Sequence, residues 1–277
     1  MTSTPYWEDR DAGLTLYLGD SREVLPDLGV TADLIIADPP FGETSHGWDR
    51  WPHGWLDIAA QHATTMWCFG SQRMFFRHLP EFQAAGWKLS QDVVGHDDDG
   101  EPVVGDVNVV WEKHNGTGFA TDRFKRVHEH VLHWYRGRWG DAHQQVPRVP
   151  SPGLRQGSAR TARTAPRGHT GTIGDHVYVD DGTRLMRSVI KARSVRRGIH
   201  PTQKPLDLLL PLIRYGCPPG GLVVDPFGGS CSTLLAARQL GLRAIAIEGH
   251  EPHAEAAAAR LAEPYAVDLF ATPQPSV

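Results

Sequence analysis

The feature that most constrains the fold is a pair of short, wholly apolar runs that each end at an aspartate. Residues 34–37 (LIIA) end at Asp38, and residues 222–224 (LVV) end at Asp225. Runs without polar alternation are typical of parallel strands that helices cover on both faces. After Asp225 the pattern continues as helix, strand and helix, which is a βαβ unit with a further helix. The sequence therefore predicts an α/β protein.

The first of these runs is followed directly by two prolines, in "ADPPFG". Proline cannot donate to a central ladder, and the residue before each proline is pushed towards extended conformations. The strand must therefore end at Asp38. A plain strand-terminating turn would satisfy the same pattern, so the stretch has to be interpreted together with the rest of the chain.

The middle of the chain differs from both ends. Gly, Pro, Ser, Thr and Arg dominate residues 137–199. From Arg136 to Arg197, thirteen Lys and Arg against four Asp give +9, which leaves fifteen basic and twenty-eight acidic residues, or −13, elsewhere. We expect one doubly wound sheet, formed by residues 1–136 and 200–277, that carries residues 137–199 as an insertion. The basic charge indicates a polyanion contact, although a solvated loop without specific contacts would have the same charge.

The turn after Asp225, "DPFGGSCST", contains small residues and leads into a helix near Ser232. Glycines let backbone approach a ligand, and a helix start offers free N–H groups. Glu248 ends the next strand, where a carboxylate can accept both hydrogen bonds of a ribose diol. A structural turn is the alternative interpretation. An aspartate in this turn would repel a diphosphate and favours a cationic cofactor such as S-adenosylmethionine (SAM), so a nicotinamide enzyme is disfavoured.

Three segments together resemble a known family. "ADPPF" (37–41), "HPTQKP" (200–205) and "DPFGGSCST" (225–233), in this order, are similar to the β group of amino-methylating DNA methyltransferases. The resemblance spans most of the chain outside residues 137–199. It implies a SAM-dependent methyltransferase fold, which is Rossmann-like with a circularly permuted motif order. It also implies a mostly parallel, seven-stranded sheet with an inserted target-recognition lobe.

The resemblance also assigns cofactor contacts. Asp225, Phe227 and Gly229 match positions around the methionine part of SAM, Glu248 matches the ribose ligand, and Asp20 matches an acidic residue near the adenine. "HPTQKP" matches a segment at the methionine end, or serves as a rigid lead-in to the next helix. Asp20 would equally suit a helix N-cap. The complete predicted cofactor set is Asp20, Thr202, Lys204, Asp225, Phe227, Gly229, Ser230, Thr233 and Glu248.

Cys231 departs from the family pattern, which usually has a glycine there. Its side chain would either crowd the turn or point into the core as a small hydrophobe. A cysteine nucleophile is a poor alternative, because Cys231 would stand beside the cofactor turn and away from the target base. Cys68, within the apolar "MWCF", is predicted to be a core residue.

The predicted catalytic set is Asp38, Pro39, Pro40 and Phe41. An exocyclic amine is a weak nucleophile, and hydrogen bonds to the Asp38 carboxylate and the Pro39 carbonyl favour a tetrahedral nitrogen. The prolines hold both acceptors in place. Phe41, where the family more often has tyrosine, offers a ring on which a base flipped out of duplex DNA can stack.

The target base follows from the residue before the prolines. In the family, Asp is commoner there among adenine-N6 enzymes and Ser among cytosine-N4 enzymes, so adenine is favoured. Cytosine-N4 methylation is the nearest alternative. More distant ones are methylation of RNA or of a protein glutamine, and an inactive DNA-binding relative. The basic insertion is predicted to contact double-stranded DNA, with a homodimer and a separate restriction endonuclease left open as partners.

The sequence predicts neither a metal site nor a membrane segment. His128, Glu129 and His130 resemble a metal cluster but lie in a strand that matches a structural family segment. The adjacent Asp97–Asp99 are predicted to be a solvated turn. No apolar run approaches about 18 residues, and residues 1–13 are too polar for a signal peptide. With three scattered cysteines, these features predict a cytoplasmic protein, and the resemblance to the methyltransferase family implies a prokaryotic or phage origin.

Overall fold

The computed structural model describes residues 3–96, 102–106, 108–117, 121–122, 124–150, 157–163, 173–195, 198–200 and 202–263. The predicted turn at Asp97–Asp99 lies outside these residues. The chain divides into two compact units, Met1–Gln145 with Ser188–Val277, and Val146–Arg187. The second unit lies within the basic range 137–199.

Six α-helices are present among the described residues. They are α1 (Ser21–Leu28), α2 (Trp55–His62), α3 (Gln72–Ala84), α4 (Leu206–Gly216), α5 (Ser232–Gln239) and α6 (Glu251–Ala262). A short 3₁₀ helix covers Trp139–Asp141. Local sequence explains several boundaries: the Asp20 and Ser71 side chains cap α1 and α3, and Gly29 ends α1 in the left-handed conformation.

The strands of the described residues are β1 (Trp7–Asp9), β2 (Leu14–Leu18), β3 (Leu34–Ala37), β4 (Thr65–Gly70), β5 (Lys88–Leu89), β6 (Gln91–His96), β7 (Pro102–Asp106), β8 (Val109–Thr117), β9 (Arg126–Tyr135), β10 (Arg148–Pro150), β11 (Gly157–Arg163), β12 (Ile173–Asp180), β13 (Thr183–Leu185), β14 (Val189–Lys191), β15 (Leu222–Asp225) and β16 (Arg243–Glu248).

A central sheet of ten strands organises the larger unit. Its order is β1-β2-β16-β15-β3-β4-β9-β8-β14, with β5 also paired to β9. Strands β2, β16, β15, β3 and β4 run parallel to one another, and β9 is antiparallel to both β4 and β8. Seven of the ten strands have four residues or more, and β1, β5 and β14 extend them as strands of two or three residues. The predicted α/β fold with a mostly parallel sheet is confirmed.

The centre of the sheet is the core. Every residue of β3, β4 and β15 is buried, because helices cover both faces of the parallel strands. Trp67, Phe69 and Trp87 are among the largest side chains buried to 1% exposure or less. Cys68 is fully buried, as predicted for a core residue.

Helix α4 corrects the prediction made from the segment "KPLDLLLPLIRYG" (204–216), namely a helix interrupted at Pro211. Pro211 suggests an interruption, but the helix is continuous across it. One proline removes a single backbone hydrogen bond, whereas Leu208, Leu209, Leu212 and Ile213 bury one face of α4 and hold the helix in place. Burial of this apolar face outweighs the local defect.

The smaller unit consists of two antiparallel ladders. Strand β10 pairs with β13, and β11 pairs with β12, with a register shift between Thr161 and Arg163. Strands β6 and β7 form a separate hairpin in the larger unit. Among the helices of the described residues, none has the length and apolarity that a bilayer crossing requires.

Candidate active site

Four carboxylates follow the carboxyl ends of neighbouring parallel strands. Asp225 is the last residue of β15 and Glu248 the last of β16, while Asp38 directly follows β3 and Asp20 lies two residues beyond β2. The order β2-β16-β15-β3 places these strand ends at one edge of the sheet. This edge is where open α/β sheets bind ligands. The structure thus brings the two predicted motifs, after β3 and after β15, side by side.

The Asp225 carboxylate organises the turn between β15 and α5. It accepts hydrogen bonds from the Phe227 backbone N–H at 3.0 Å and from the Thr233 hydroxyl at 2.6 Å. The pKa of Asp225 is raised to about 7, mainly by burial and also by the charges of Asp38 and Glu248, against the lowering effect of the hydrogen bonds from Thr233 and Phe227. The turn is therefore strongly electronegative and would be stabilised by a cation.

Glu248 holds the same turn from the neighbouring strand. One carboxylate oxygen accepts from the Gly229 N–H at 2.7 Å, and the other accepts from the His250 N–H at 2.8 Å. A Cβ at Gly228 would lie 3.2 Å from the Ala246 Cβ, so the backbone there runs close against β16. Gly229 has a φ of 50°. Glycine at both positions thus allows the tight path of the turn.

The Cys231 side chain is buried in the core, which decides between the two interpretations of this position. Its φ is 52°, and it is the one non-glycine residue with a positive φ among the described residues. The residue caps α5 in the left-handed conformation without a side-chain hydrogen bond. This backbone geometry explains why a glycine is expected here. Ser230, the residue before it, is also buried, and its carbonyl accepts a hydrogen bond from Arg260 at 2.8 Å.

Asp20 acts as the N-cap of α1. Its carboxylate accepts from the Arg22 N–H at 2.9 Å and forms an ion pair with the Arg22 guanidinium. The hydrogen bond from the Arg22 side chain lowers the pKa of Asp20. The capping interpretation therefore describes the structure, and the contact of Asp20 with an adenine stays a prediction.

The segment after Asp38 forms a compact turn with a rigid continuation. Pro39 is buried and Phe41 packs partly into the core. The buried Asp49 carboxylate accepts hydrogen bonds from the N–H groups of residues 42, 43 and 44. Phe41 lines a cavity of about 500 Å³ together with Gly70, Ser71, His128, Glu129 and their neighbours. The ring predicted to stack on a base therefore faces a space large enough to accept one.

Lys204 lies against the catalytic motif. Its ammonium donates a hydrogen bond to Asp38 and lies 3.4 Å from the Thr202 carbonyl. Burial alone would lower the pKa of Lys204, but Asp38 and Glu129 outweigh burial and raise it. Burial raises the pKa of Asp38, and the charge of Lys204 opposes that rise. The predicted contact of Lys204 with SAM remains a prediction, whereas its contact with Asp38 is a feature that sequence patterns did not indicate.

The sequence prediction also missed two charged residues. Glu129, on β9, forms an ion pair with Lys113, on β8, and its second oxygen lies 3.9 Å from the Lys204 ammonium. In sequence, Glu129 stands between His128 and His130, and these three residues resemble a metal cluster. No metal-binding group of three His, Cys, Asp or Glu side chains occurs in the described parts of the chain. The signal that could have found Glu129 is its charge within the strand "RVHEHVLHWY".

Comparison with known proteins identifies the family of the chain. Residues 1–259 match a family described as DNA methylase, with N6 and N4 specificity in its name. The chain belongs to the N6/N4 DNA methylase family. The predicted resemblance is confirmed.

Individual relatives show the extent of the likeness. The chain is 23% identical over 278 residues to the type II methyltransferase M2.MboI of Moraxella bovis, covering 90% of this chain and 87% of that protein. A second match, 49% identical over 63 residues, is to YubD of Escherichia coli (strain K12) and spans 28% of YubD.

Two solved structures share the fold. The SAM complex of M1.HpyAVI has a TM-score of 0.59 at 20% identity, covering 89% of this chain and 99% of that one. The PvuII DNA methyltransferase, which is cytosine-N4-specific, has a TM-score of 0.56 at 17% identity, covering 90% of this chain and 86% of that one.

Proposed function

We propose that the protein is a SAM-dependent DNA methyltransferase that modifies the N6 amine of a flipped adenine in duplex DNA. Membership of the DNA methylase family supports the reaction class. The observation that carries the proposal is the Asp38-Pro39 turn at the end of β3, beside the acidic turn at the end of β15. An acceptor pair for an amine and a site for a cation then lie at the same edge of the sheet.

The residues of the β15 turn fit SAM. The burial and mutual repulsion of Asp225, Asp38 and Glu248 favour a ligand that carries positive charge. Glycines at 228 and 229 keep side chains out of the turn. A related structure, that of M1.HpyAVI, is a SAM complex. When bound, SAM supplies an electrophilic methyl group on a sulfonium sulfur, which becomes a neutral thioether once the methyl has left.

In this proposal Asp225, Phe227, Gly229, Ser230 and Thr233 form the turn around the cofactor. Their partners in binding are the strand-end carboxylates and the lead-in to α4, which contribute Glu248, Asp20, Thr202 and Lys204. Glu248 both shapes the turn and retains oxygen lone pairs that a ribose diol can reach. Thr202 has its hydroxyl 3.1 Å from the His200 ring nitrogen.

The Asp38 turn would activate the amine. The Asp38 carboxylate and the Pro39 carbonyl accept hydrogen bonds from the two N–H groups of the amine. These hydrogen bonds direct the nitrogen lone pair out of the ring plane. One proton leaves the nitrogen as the new N–C bond forms, and Asp38 is the nearest base to receive it. Phe41 supplies a stacking surface for the base in the adjoining cavity.

The smaller unit is proposed to contact the DNA. Residues 146–187 contain seven Arg and three Asp, a net charge of +4. Arginines neutralise phosphates and also read guanine edges in the major groove. Target recognition by this unit is compatible with its position in the chain, between the two halves of the catalytic unit.

Cytosine-N4 methylation is the second candidate. One structural neighbour, the PvuII enzyme, is cytosine-N4-specific, and the acceptor pair suits either amine. The aspartate before Pro39 favours adenine, because serine is commoner at that position in cytosine-N4 enzymes.

The deciding experiment is expression in a host strain that lacks DNA methylation. Digestion of the DNA to nucleosides, followed by mass spectrometry, should reveal N6-methyladenine. Sequencing that detects modified bases should locate it in one recurring motif. N4-methylcytosine in its place would support the second candidate. Unmodified DNA, despite soluble protein that binds SAM, would favour an inactive DNA-binding relative.

A further inference from the structure

A largely buried network of four charged side chains connects Asp38 to the wall of the cavity beside Phe41. Asp38 follows β3, Lys204 precedes α4, Glu129 lies on β9 and Lys113 on β8. The Lys204 ammonium contacts Asp38 and lies 3.9 Å from Glu129, and Glu129 forms an ion pair with Lys113. Four separate elements therefore supply one alternating chain of two acids and two bases.

The network is costly to bury, so its retention calls for a reason. The exposed fraction of the side chains is 22% for Asp38, 9% for Lys204, 16% for Glu129 and 18% for Lys113. Desolvating such ion pairs is unfavourable, and apolar residues in their place often give equal or greater stability. One Glu129 oxygen, Oε2, is buried without a hydrogen-bond partner among the described residues. This oxygen is the one that faces Lys204.

We propose that Glu129 is a positioning residue for methyl transfer: it shares the Lys204 ammonium with Asp38, so that Asp38 stays ionised yet retains the basicity needed to accept the amine proton. The inference rests on the proposed function. It adds to the reaction a residue from β9 that never touches the reacting atoms.

The chemistry sets two opposite requirements on Asp38. A protonated Asp38 cannot both accept a hydrogen bond from the amine N–H and take up the released proton. A nearby cation is therefore needed to keep the Asp38 carboxylate ionised. A cation that is paired with Asp38 alone would make it a weak acceptor. Glu129 supplies a second anion within reach of the same ammonium, which divides the attraction of Lys204 between two carboxylates.

The titratable groups around Asp38 come from several neighbouring elements. Lys204, Glu129 and Lys113 all act on its ionisation. Asp225, at the end of β15, is coupled to it as well. The Cys68 thiol on β4 is neutral, because burial raises the pKa of Cys68 well above its ordinary value. Of the two carboxylates in the network, Glu129 is the one that borders the cavity beside Phe41.

The pH dependence of kcat tests the inference. Glu129→Gln removes a negative charge near Asp38 and should move the acid limb of kcat to lower pH, with a plateau lowered about tenfold. Lys204→Met removes a positive charge and should move the same limb to higher pH. Shifts in opposite directions are expected from electrostatic coupling, whereas general loss of packing would lower activity without moving either limb.

Two variants complete the test. Glu129→Asp keeps the charge and should keep the wild-type limb. Glu112→Gln removes a partly exposed carboxylate of β8, paired with Lys191 at 3.3 Å, and should leave the whole profile unchanged. The inference would be overturned if the acid limb of Glu129→Gln coincided with that of the wild type. It would also be overturned if Glu129→Asp moved the acid limb by as much as Glu129→Gln does. Absence of methylation by the wild-type protein would instead refute the proposed function.

Discussion

Asp38 is the residue on which the proposed chemistry depends, and its surroundings explain how a carboxylate can serve there. Burial raises its pKa while the Lys204 ammonium opposes that rise. The prolines that follow hold the backbone carbonyl beside the side chain. A single side chain therefore combines a hydrogen-bond acceptor, a proton acceptor and a partner for a buried lysine.

We predict that Asp38→Ala lowers the rate of methyl transfer by at least about a thousandfold. The change removes both the hydrogen-bond acceptor for the amine and the base that receives its proton. SAM binding should remain nearly intact, since the cofactor turn is built by other residues. Rates of tritiated methyl incorporation into DNA and calorimetric SAM titration measure the two effects.

The matched control is Asp57→Ala, which alters an exposed aspartate on α2 and should leave the rate at the wild-type value. Retained turnover in Asp38→Ala would remove Asp38 from the mechanism.

Cys231 gives a second prediction at this scale. Left-handed backbone costs a non-glycine residue about 1–2 kcal/mol, and Cys231 has a φ of 52°. Cys231→Gly should therefore be at least as stable as Cys231→Ala, although glycine in an ordinary position is less stable than alanine by about 0.5–1 kcal/mol.

Urea denaturation of both variants measures the difference. A Cys231→Gly protein that is clearly less stable than Cys231→Ala would show that the left-handed backbone carries no cost at this position.

At the scale of elements, the carboxyl ends of β2, β16, β15 and β3 gather negative charge that no single strand reveals. Asp225 ends β15 in full burial, with the charges of Asp38 and Glu248 near it. Helix α4 contributes the opposite charge, because the segment before it carries Lys204. The electrostatics of the site thus arise from the order of the strands.

This arrangement predicts a pH-dependent affinity for SAM. The pKa of Asp225 is raised to about 7, and a cationic ligand binds the ionised form better. Affinity should therefore rise with pH through about 7, with a limiting slope of about tenfold per pH unit below it. The stability of the free protein depends on pH in the opposite direction, because burial favours the protonated Asp225 carboxyl. The contribution of this carboxyl to the free energy of unfolding is present at low pH and is lost as pH rises through about 7.

Calorimetric titration of SAM between acidic and mildly basic pH measures this dependence. Asp225→Asn, which cannot ionise, should flatten it. A wild-type affinity that does not change across neutral pH would contradict the assigned role of the turn.

At the scale of the whole molecule, charge is divided between the two units. The smaller unit, residues 146–187, has a net charge of +4 within a chain of net charge −4. Such a division favours contact of the smaller unit, rather than the larger one, with phosphates.

We predict that neutralising arginines of the insertion flattens the salt dependence of DNA binding. The triple change Arg155→Gln, Arg160→Gln and Arg163→Gln should reduce the slope of log K against log salt by about 0.9 for each phosphate that an arginine no longer neutralises. Fluorescence anisotropy of labelled duplex DNA over a series of salt concentrations measures the slope.

The control is a triple change on the larger unit, at the exposed Arg10, Arg214 and Arg243. Arg243 begins β16 and so lies at the sheet edge opposite the strand-end carboxylates. Equal slopes for the wild type and the insertion variant would mean that this stretch makes no phosphate contact.

Sequence patterns alone predict the α/β class, the strand ends at Asp38 and Asp225, and the family. These follow from local patterns, because an apolar run, a proline pair or a glycine turn restricts its own backbone wherever it occurs. Pro211 shows the limit of such reasoning: the local rule predicts a break, and burial of the apolar face of α4 overrides it.

Which charges meet depends on how the chain folds in three dimensions. Lys204 and Asp38 are 166 residues apart in sequence, and Glu129 reaches them from an antiparallel strand on the far side of β4. The physical reason is that electrostatic and hydrogen-bond partners depend on distance in space, which strand order and register set and which no local pattern encodes. The left-handed backbone of Cys231 was likewise visible only in the folded turn.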